Sequence, residues 1–418
     1  FSSYIVGYSI AVLAYLVLLL CGYPKLILAY AVLMLISCFF LRNKLIDEIS
    51  ATGKSDRSLV RKVAIIFVCA FLVGFIFYQL PNLSALQVGY WSSQTDSFYY
   101  MKCCLGATKE FPLPDYSYSS TQIYWHVFSC LGLALQKILS GIEMADIVFR
   151  LSYIMHVFML LSSLYTLARL IIKNNTYIVY ILVGSLFCSG VEGLTHVYYL
   201  EHLYACTLGC AMGLSLLLLG VFFTLKCTQE SFRTSYFSLA ILILIVCTGV
   251  KMPYGALLSL AMGLIIIIKA WKSHQNKKIT MLFLSAVVCI FIGTTALFIV
   301  KPHEYASVLE NQQLTISIRT AFSNPLGRGL VKLMEPVIGL LASYIISFVL
   351  FLVNIHIVSS ILFLFELNML FRYRRLLDTI TITFLLCTIV GLMLFCFLSH
   401  PGYSQVYFVF AVIPLPLF

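Results

Sequence analysis

The feature that most constrains this chain is repetition, because long apolar runs broken by short polar or basic stretches recur from Tyr4 to its last residue, Phe418. They extend roughly over Tyr4–Leu20, Leu26–Leu41, Val63–Leu80, Ile123–Leu139, Ile147–Leu167, Tyr177–Ser189, Leu203–Leu225, Tyr236–Val250, Tyr254–Ala270, Ile279–Val300, Val337–Leu370 and Thr379–Leu398, with a last run from Tyr407 onward. About 20 apolar residues make a helix long enough to cross a hydrocarbon core about 30 Å thick. Of the 418 residues, 61% are hydrophobic and 10% charged, against about half and about a quarter in soluble domains. Mean hydropathy is +0.99. No large water-soluble domain fits between the runs. The expected fold is all-α, a polytopic transmembrane bundle of roughly 11 to 13 spans, since helices satisfy their own backbone groups in lipid. We read residues 1–418 as a single integral membrane domain. The sequence opens on Phe1 and stops inside an apolar run, so it is expected to lack both natural ends.

A net charge of +11 raises nucleic acid as a partner. The Lys and Arg residues instead fall in short clusters at the ends of apolar runs, where they report membrane orientation. The expected partner is lipid, with no nucleic acid. The 14 cysteines are mostly single residues inside apolar runs, where Cys acts as a small hydrophobe. Cys103 and Cys104 lie outside a run, and adjacent cysteines rarely bridge, so no disulfide framework is expected.

Orientation follows from the basic clusters. The stretch Arg42–Lys62 is basic on balance and is placed in the cytoplasm. Val63–Leu80 then leads outward, making 81–145 an exterior loop with juxtamembrane helices. Arg169 and Lys173 must return to the cytoplasm, although two apolar runs precede them. The rule holds if Ile123–Leu139 does not cross but lies against or dips into the outer leaflet, where Gln136 and Lys137 near its end fit an interfacial helix. Lys226 and Arg233, then Lys269, Lys272, Lys277 and Lys278, then Arg372, Arg374 and Arg375 all fall inside on that choice. Residues 301–336 form a second exterior loop, and Val337–Leu370 is too long for one ordinary span.

The exterior then collects most acidic and histidine residues near span ends. Ionisable groups at a membrane boundary are costly unless paired or solvated, so such groups often line a cavity. Each has a plainer reading beside it. Asp96, in SSQTDSFYYMKCC, could cap a helix. Asp115, between Pro114 and Tyr116, could shape a turn. His126 could be a packed histidine beside Trp125. Glu192 and His196 are four apart, so a helix would put them on one face as a structural pair or a weak metal site. Lys251, before Met252 and Pro253, could snorkel to the interface or receive a phosphate. Arg319 and Arg328 could serve a diphosphate as forked donors. In SHPGYSQVYF, aromatic belts account for Tyr403 and Tyr407 but not for His400 and Gln405.

The order of elements over Val63–Lys173 resembles the GT-C superfamily of integral membrane glycosyltransferases. The likeness rests on an acidic residue early in a first exterior loop (TDSFYYMKCCLGATKEFPLPDY), a Tyr-x-His segment leading to an apolar helix and Gly-Ile (TQIYWHVFSCLGLALQKILSGI), and a span opening near an Arg-Leu pair (ADIVFRLSYIMHVFMLLSSLYTLARLI). TGVKMPYGALLSLAMGLIIIIK is similar to a later span of that group. The resemblance implies a polyprenyl-phosphate-linked sugar donor and a glycan, lipid or protein acceptor outside the cell. It implies a bacterial plasma membrane with the site facing outward. Asp96 would be the general base, with Asp115 or Glu192 as a second acidic residue. Desolvation at an apolar rim raises a carboxyl pKa toward a useful value. The phosphate leaving group mainly needs positive charge, from Lys251, His400 or the loop arginines, or from a divalent cation such as magnesium or manganese held by Asp96 and a second carboxylate. No cofactor is fixed by the residues themselves. A flippase or transporter for a lipid-linked glycan and a glycan polymerase are the alternatives.

Overall fold

The structure is a computed structural model. It describes residues 2–52, 57–76, 95–111, 113–114, 122–123, 127–187, 209–273, 277–298, 315–316, 335–337, 339, 342–343, 346, 357–372, 378–399, 406–412 and 414–418.

Almost all of these residues are helical. In chain order the main helices are α1 (Ser2–Leu20), α2 (Ile27–Thr52), α3 (Arg57–Gly74), α4 (Thr95–Gly106), α5 (Val127–Ser140), α6 (Ser152–Ile171), α7 (Asn175–Phe187), α8 (Cys210–Gln229), α9 (Thr234–Val250), α10 (Met252–Lys272), α11 (Lys277–Phe298), α12 (Ile357–Arg372), α13 (Thr379–Phe397) and α14 (Val406–Val412). The other regular pieces include two short antiparallel ladders. β1 (Leu113–Pro114) pairs with β2 (Gln122–Ile123), and β3 (Thr315–Ile316) pairs with β4 (Leu398–Ser399). The chain is thus all-α in class. Among the described residues, α1, α6, α8, α10 and α11 are long and apolar enough to cross a membrane, by length and composition.

The core is built on α8. Sixteen of its residues are buried, and it packs against α6, α9 and α10. A helix that is apolar and buried on every side is the middle of a bundle. α2 is the opposite case, with Val32 through Phe40 all exposed and apolar apart from Ser37, which suits a helix whose surroundings are lipid tails.

Two ends of this core can be followed from side-chain contacts. At one end α8 finishes and α9 starts, with Phe223 stacked on Tyr236 at 6.4 Å. α11 begins there too, since Phe283 stacks on Phe237 at 4.1 Å. α10 finishes at this end, where the Lys272 ammonium donates to the Thr379 hydroxyl at the start of α13, 3.3 Å away. Lys226, Arg233, Lys269, Lys272, Lys277 and Lys278 therefore gather at one end of the bundle, as the orientation argument expects of these clusters. All are exposed or half-buried. At the other end α9 finishes, and α8 and α10 start.

The run expected to lie against or dip into the outer leaflet forms α5, which protein encloses over much of its length. Its first nine residues, Val127–Leu135, are all buried, and it packs against α1, α2, α4 and α9. Its 14 residues rise about 21 Å at 1.5 Å each, short of a full crossing. The reason it sinks into protein is close fit. Phe128 lies over Gly249 of α9, where a built Cβ would come within 2.6 Å of the ring.

Candidate functional site

The end of the core away from the basic cluster is organised by the sequence Thr248-Gly249-Val250-Lys251-Met252-Pro253. Proline lacks an amide hydrogen and its ring clashes with the carbonyl four residues back, so Pro253 forbids a continuous helix through this point. α9 stops at Val250, Lys251 takes an extended conformation (φ −160°, ψ 111°), and α10 starts at Met252 with Pro253 in its first turn. The backbone stays satisfied across the break. The Lys251 amide donates to the Cys247 carbonyl at 3.0 Å, and its carbonyl accepts from the amides of Tyr254 (3.0 Å) and Gly255 (3.3 Å).

The Lys251 side chain does not snorkel. It is 1% exposed, one of the largest fully buried side chains in the protein. Lysine is almost never fully buried unless paired, because desolvating an ammonium costs several kcal/mol. Two neighbours can be placed beside it. Gly209, at the start of α8, has φ +99°, and a Cβ there would sit 3.3 Å from the Val250 carbonyl and 3.5 Å from the Lys251 side chain. Cys210 follows, its thiol 2.9 Å from the buried Tyr254 hydroxyl and close enough to Lys251 for the two to interact electrostatically. The first turn of α5 packs beside the end of α9 through Phe128 on Gly249.

Two ladders bring loop segments into a defined relation to the helices. β1 and β2 pair Leu113 with Ile123 and Pro114 with Gln122, so the two residues before Asp115 are held against two residues that shortly precede α5 in the chain. β3 and β4 pair Thr315 with Ser399 and Ile316 with Leu398. This puts the residues four and three positions before Arg319 beside those one and two positions before His400, respectively. α13 starts at the basic end and packs along α10, so it carries β4 toward the Lys251 end.

The sequence candidates divide accordingly. Lys251 is described in full. The backbone of Asp96 lies in the first turn of α4, while its side chain lies outside the described residues. Asp115, His126, Glu192, His196, Arg319, His400, Tyr403 and Gln405 also lie outside them. Among the described residues no group of three or more His, Cys, Asp or Glu could hold a metal ion. The candidate carboxylates for a divalent cation are not in that set.

Two ionisable groups inside helices escaped the sequence reading. Glu366 lies mid-way along α12, and its Oε2 is buried with no hydrogen-bond partner among the described residues. His156 on α6 is 4% exposed. The signal for both was present, a single ionisable residue within an apolar run, LFLFELNML or SYIMHVFML.

Compared with known proteins, the chain matches no family model, no curated protein and no solved structure.

Proposed function

We propose that this protein is an integral membrane glycosyltransferase of the GT-C kind. It moves a sugar from a polyprenyl-phosphate-linked donor to a glycan, lipid or protein acceptor on the outer face of a bacterial plasma membrane. The observation that carries the reading is Lys251, a lysine enclosed at the break between two apolar helices, opposite the end where the exposed basic residues gather. An enclosed ammonium at a bilayer boundary suits a ligand that brings its own negative charge from the lipid. Positive charge is also what a departing phosphate needs from the protein. On this reading the bundle has 11 to 13 spans and the Lys251 end faces outward.

The mechanism needs few parts. Asp96 takes the proton of the acceptor hydroxyl as that oxygen attacks the anomeric carbon. The bond from that carbon to the phosphate oxygen breaks, and the lipid phosphate leaves with the electron pair, its new charge facing Lys251. A direct displacement of this kind inverts the anomeric centre. Asp115 and His126 are proposed as further catalytic groups, and Glu192, His196, Arg319, His400, Tyr403 and Gln405 as groups that bind substrate or its phosphate. A divalent cation, if bound, would add positive charge at the phosphate.

The deciding experiment is sugar transfer by purified protein from a panel of polyprenyl-linked donors, comparing wild type with Asp96→Asn. Transfer by wild type and its loss in the variant are expected. Undiminished transfer by Asp96→Asn removes the assigned base.

A second reading has its own observation. The Oε2 of Glu366, buried and without a hydrogen-bond partner among the described residues, is the kind of intramembrane carboxyl that marks proton or ion pathways in transporters. Lipid flipping without any transfer, lost in Glu366→Gln, would favour it.

A further inference from the structure

Three cysteines that the sequence scatters over 28 positions meet at one point of the fold. Cys103 and Cys104 lie on α4 and Cys130 lies on α5, and all three are buried, at 2%, 0% and 2% exposure. The two helices pack against each other. The Cys130 side chain lies close enough to Cys103, Cys104 and Ser129 to interact with all three. Tyr8 of α1 reaches the same spot. It lies close enough to Cys104 and Cys130 to interact with both, and its hydroxyl is buried with no hydrogen-bond partner among the described residues.

Three neutral thiols are not needed to fill a core, since Cys packs there as a small hydrophobe that alanine or serine could replace. What only thiols in contact can do is join. A disulfide bond is about 2.0 Å long and links residues whose β carbons are about 3.8 Å apart. Thiols that already interact across a packed helix pair are placed to reach that arrangement as the two helices dock. The adjacent pair Cys103–Cys104 supplies two possible partners at a single site and leaves one thiol over.

We infer that this cluster is a modification site, in which Cys130 forms a disulfide with one cysteine of the Cys103–Cys104 pair and so locks α4 onto α5. The oxidant is a second disulfide, RSSR, of a small thiol or a protein. One of the two cysteine thiolates attacks a sulfur of RSSR and expels RS⁻, giving a mixed disulfide. The other then attacks the sulfur held by the protein, expelling the second RS⁻ and closing the bridge. The two cysteine protons end on two RSH, and the two electrons lost by the cysteine sulfurs reduce RSSR. Because the thiols are buried in the folded protein, the exchange occurs as α4 docks onto α5. An exterior placement of these helices suits such a bond, which persists in oxidising compartments. The lock joins the helix that starts with Asp96 to the helix whose first turn covers Gly249, but it does not depend on any reading of the reaction.

The test is peptide mapping of the full chain, extracted from membranes directly into denaturant with an alkylating reagent so that free thiols are capped at once. The expected result is a cross-linked pair of peptides, one carrying Cys130 and the other carrying Cys103 and Cys104. That pair disappears after reduction and in Cys130→Ser, where Cys103 and Cys104 are both alkylated. Since a serine there could impair folding, Cys103→Ala and Cys104→Ala are run separately. One of them is expected to keep the cross-link. Full alkylation of all three cysteines in wild type, or a bridge between Cys103 and Cys104 with Cys130 capped, overturns the proposal.

Discussion

The two ends of the α8–α11 core use the same residue type to opposite effect. At one end Lys226, Lys269, Lys272, Lys277 and Lys278 sit in or beside the last and first turns of helices, exposed or half-buried. Lys269 and Lys272 close α10, where a positive charge complements the unpaired carbonyls of a helix C-terminus by several tenths of a kcal/mol. At the other end Lys251 follows α9 and is enclosed. The first group can be explained by orientation and helix chemistry alone. The second cannot, because burying an ammonium costs far more than a helix end returns. That contrast is the observation on which the proposed function rests.

The comparison can be broken first at its scaffold. Gly255 lies where α10 turns away from α9, and a Cβ there would come within 2.6 Å of the Thr248 Cα and 2.3 Å of its hydroxyl. Backbone cannot give way as a flexible side chain does. Gly255→Val is therefore expected to cost about 3 kcal/mol or more and to sharply lower the yield of folded protein, measured by fluorescence-detected size exclusion in detergent. The cost should fall at this end alone.

A smaller effect is expected at Gly209. Its φ of +99° disfavours any side chain, and a Cβ would press on the Val250 carbonyl. Gly209→Ala should destabilise by about 1–2 kcal/mol, seen as a lower thermal midpoint, while disturbing the wall beside Lys251. The smallest effect belongs to the basic end. Lys277→Gln, at an exposed position, should change stability by no more than about 0.5 kcal/mol and leave function intact.

How much of this was legible beforehand follows from what each signal depends on. The run Tyr236–Val250 became the helix Thr234–Val250, and Tyr254–Ala270 became Met252–Lys272, because hydropathy and a proline are local properties. The gathering of Lys226, Arg233, Lys269, Lys272, Lys277 and Lys278 was legible for the same reason, since short connections between antiparallel helices leave little choice. The enclosure of α5 was not legible. An apolar helix has the same composition whether lipid or protein covers it, and what decides is packing against helices distant in the chain, as where Phe128 meets Gly249. The burial of Lys251 was hidden likewise, because snorkelling and enclosure use the same lysine at the same span end. Cys130 could not be joined to Cys103 and Cys104 from sequence, as nothing local links α4 to α5. Most acidic and histidine candidates fall outside the described residues, so the site is defined from its lysine side.

The measurement that tests the central claim most directly compares two single substitutions, one at each end, in the transfer of sugar from a polyprenyl-phosphate donor. Lys251→Met keeps the length of the side chain and removes its charge, and Lys272→Met does the same at the basic end. Loss of a preorganised group facing the developing phosphate charge is worth about 10²–10³ in rate. The account predicts that order of loss for Lys251→Met, in protein that still elutes as a folded species, with Lys272→Met close to wild type. Equal activity in the two variants would contradict it.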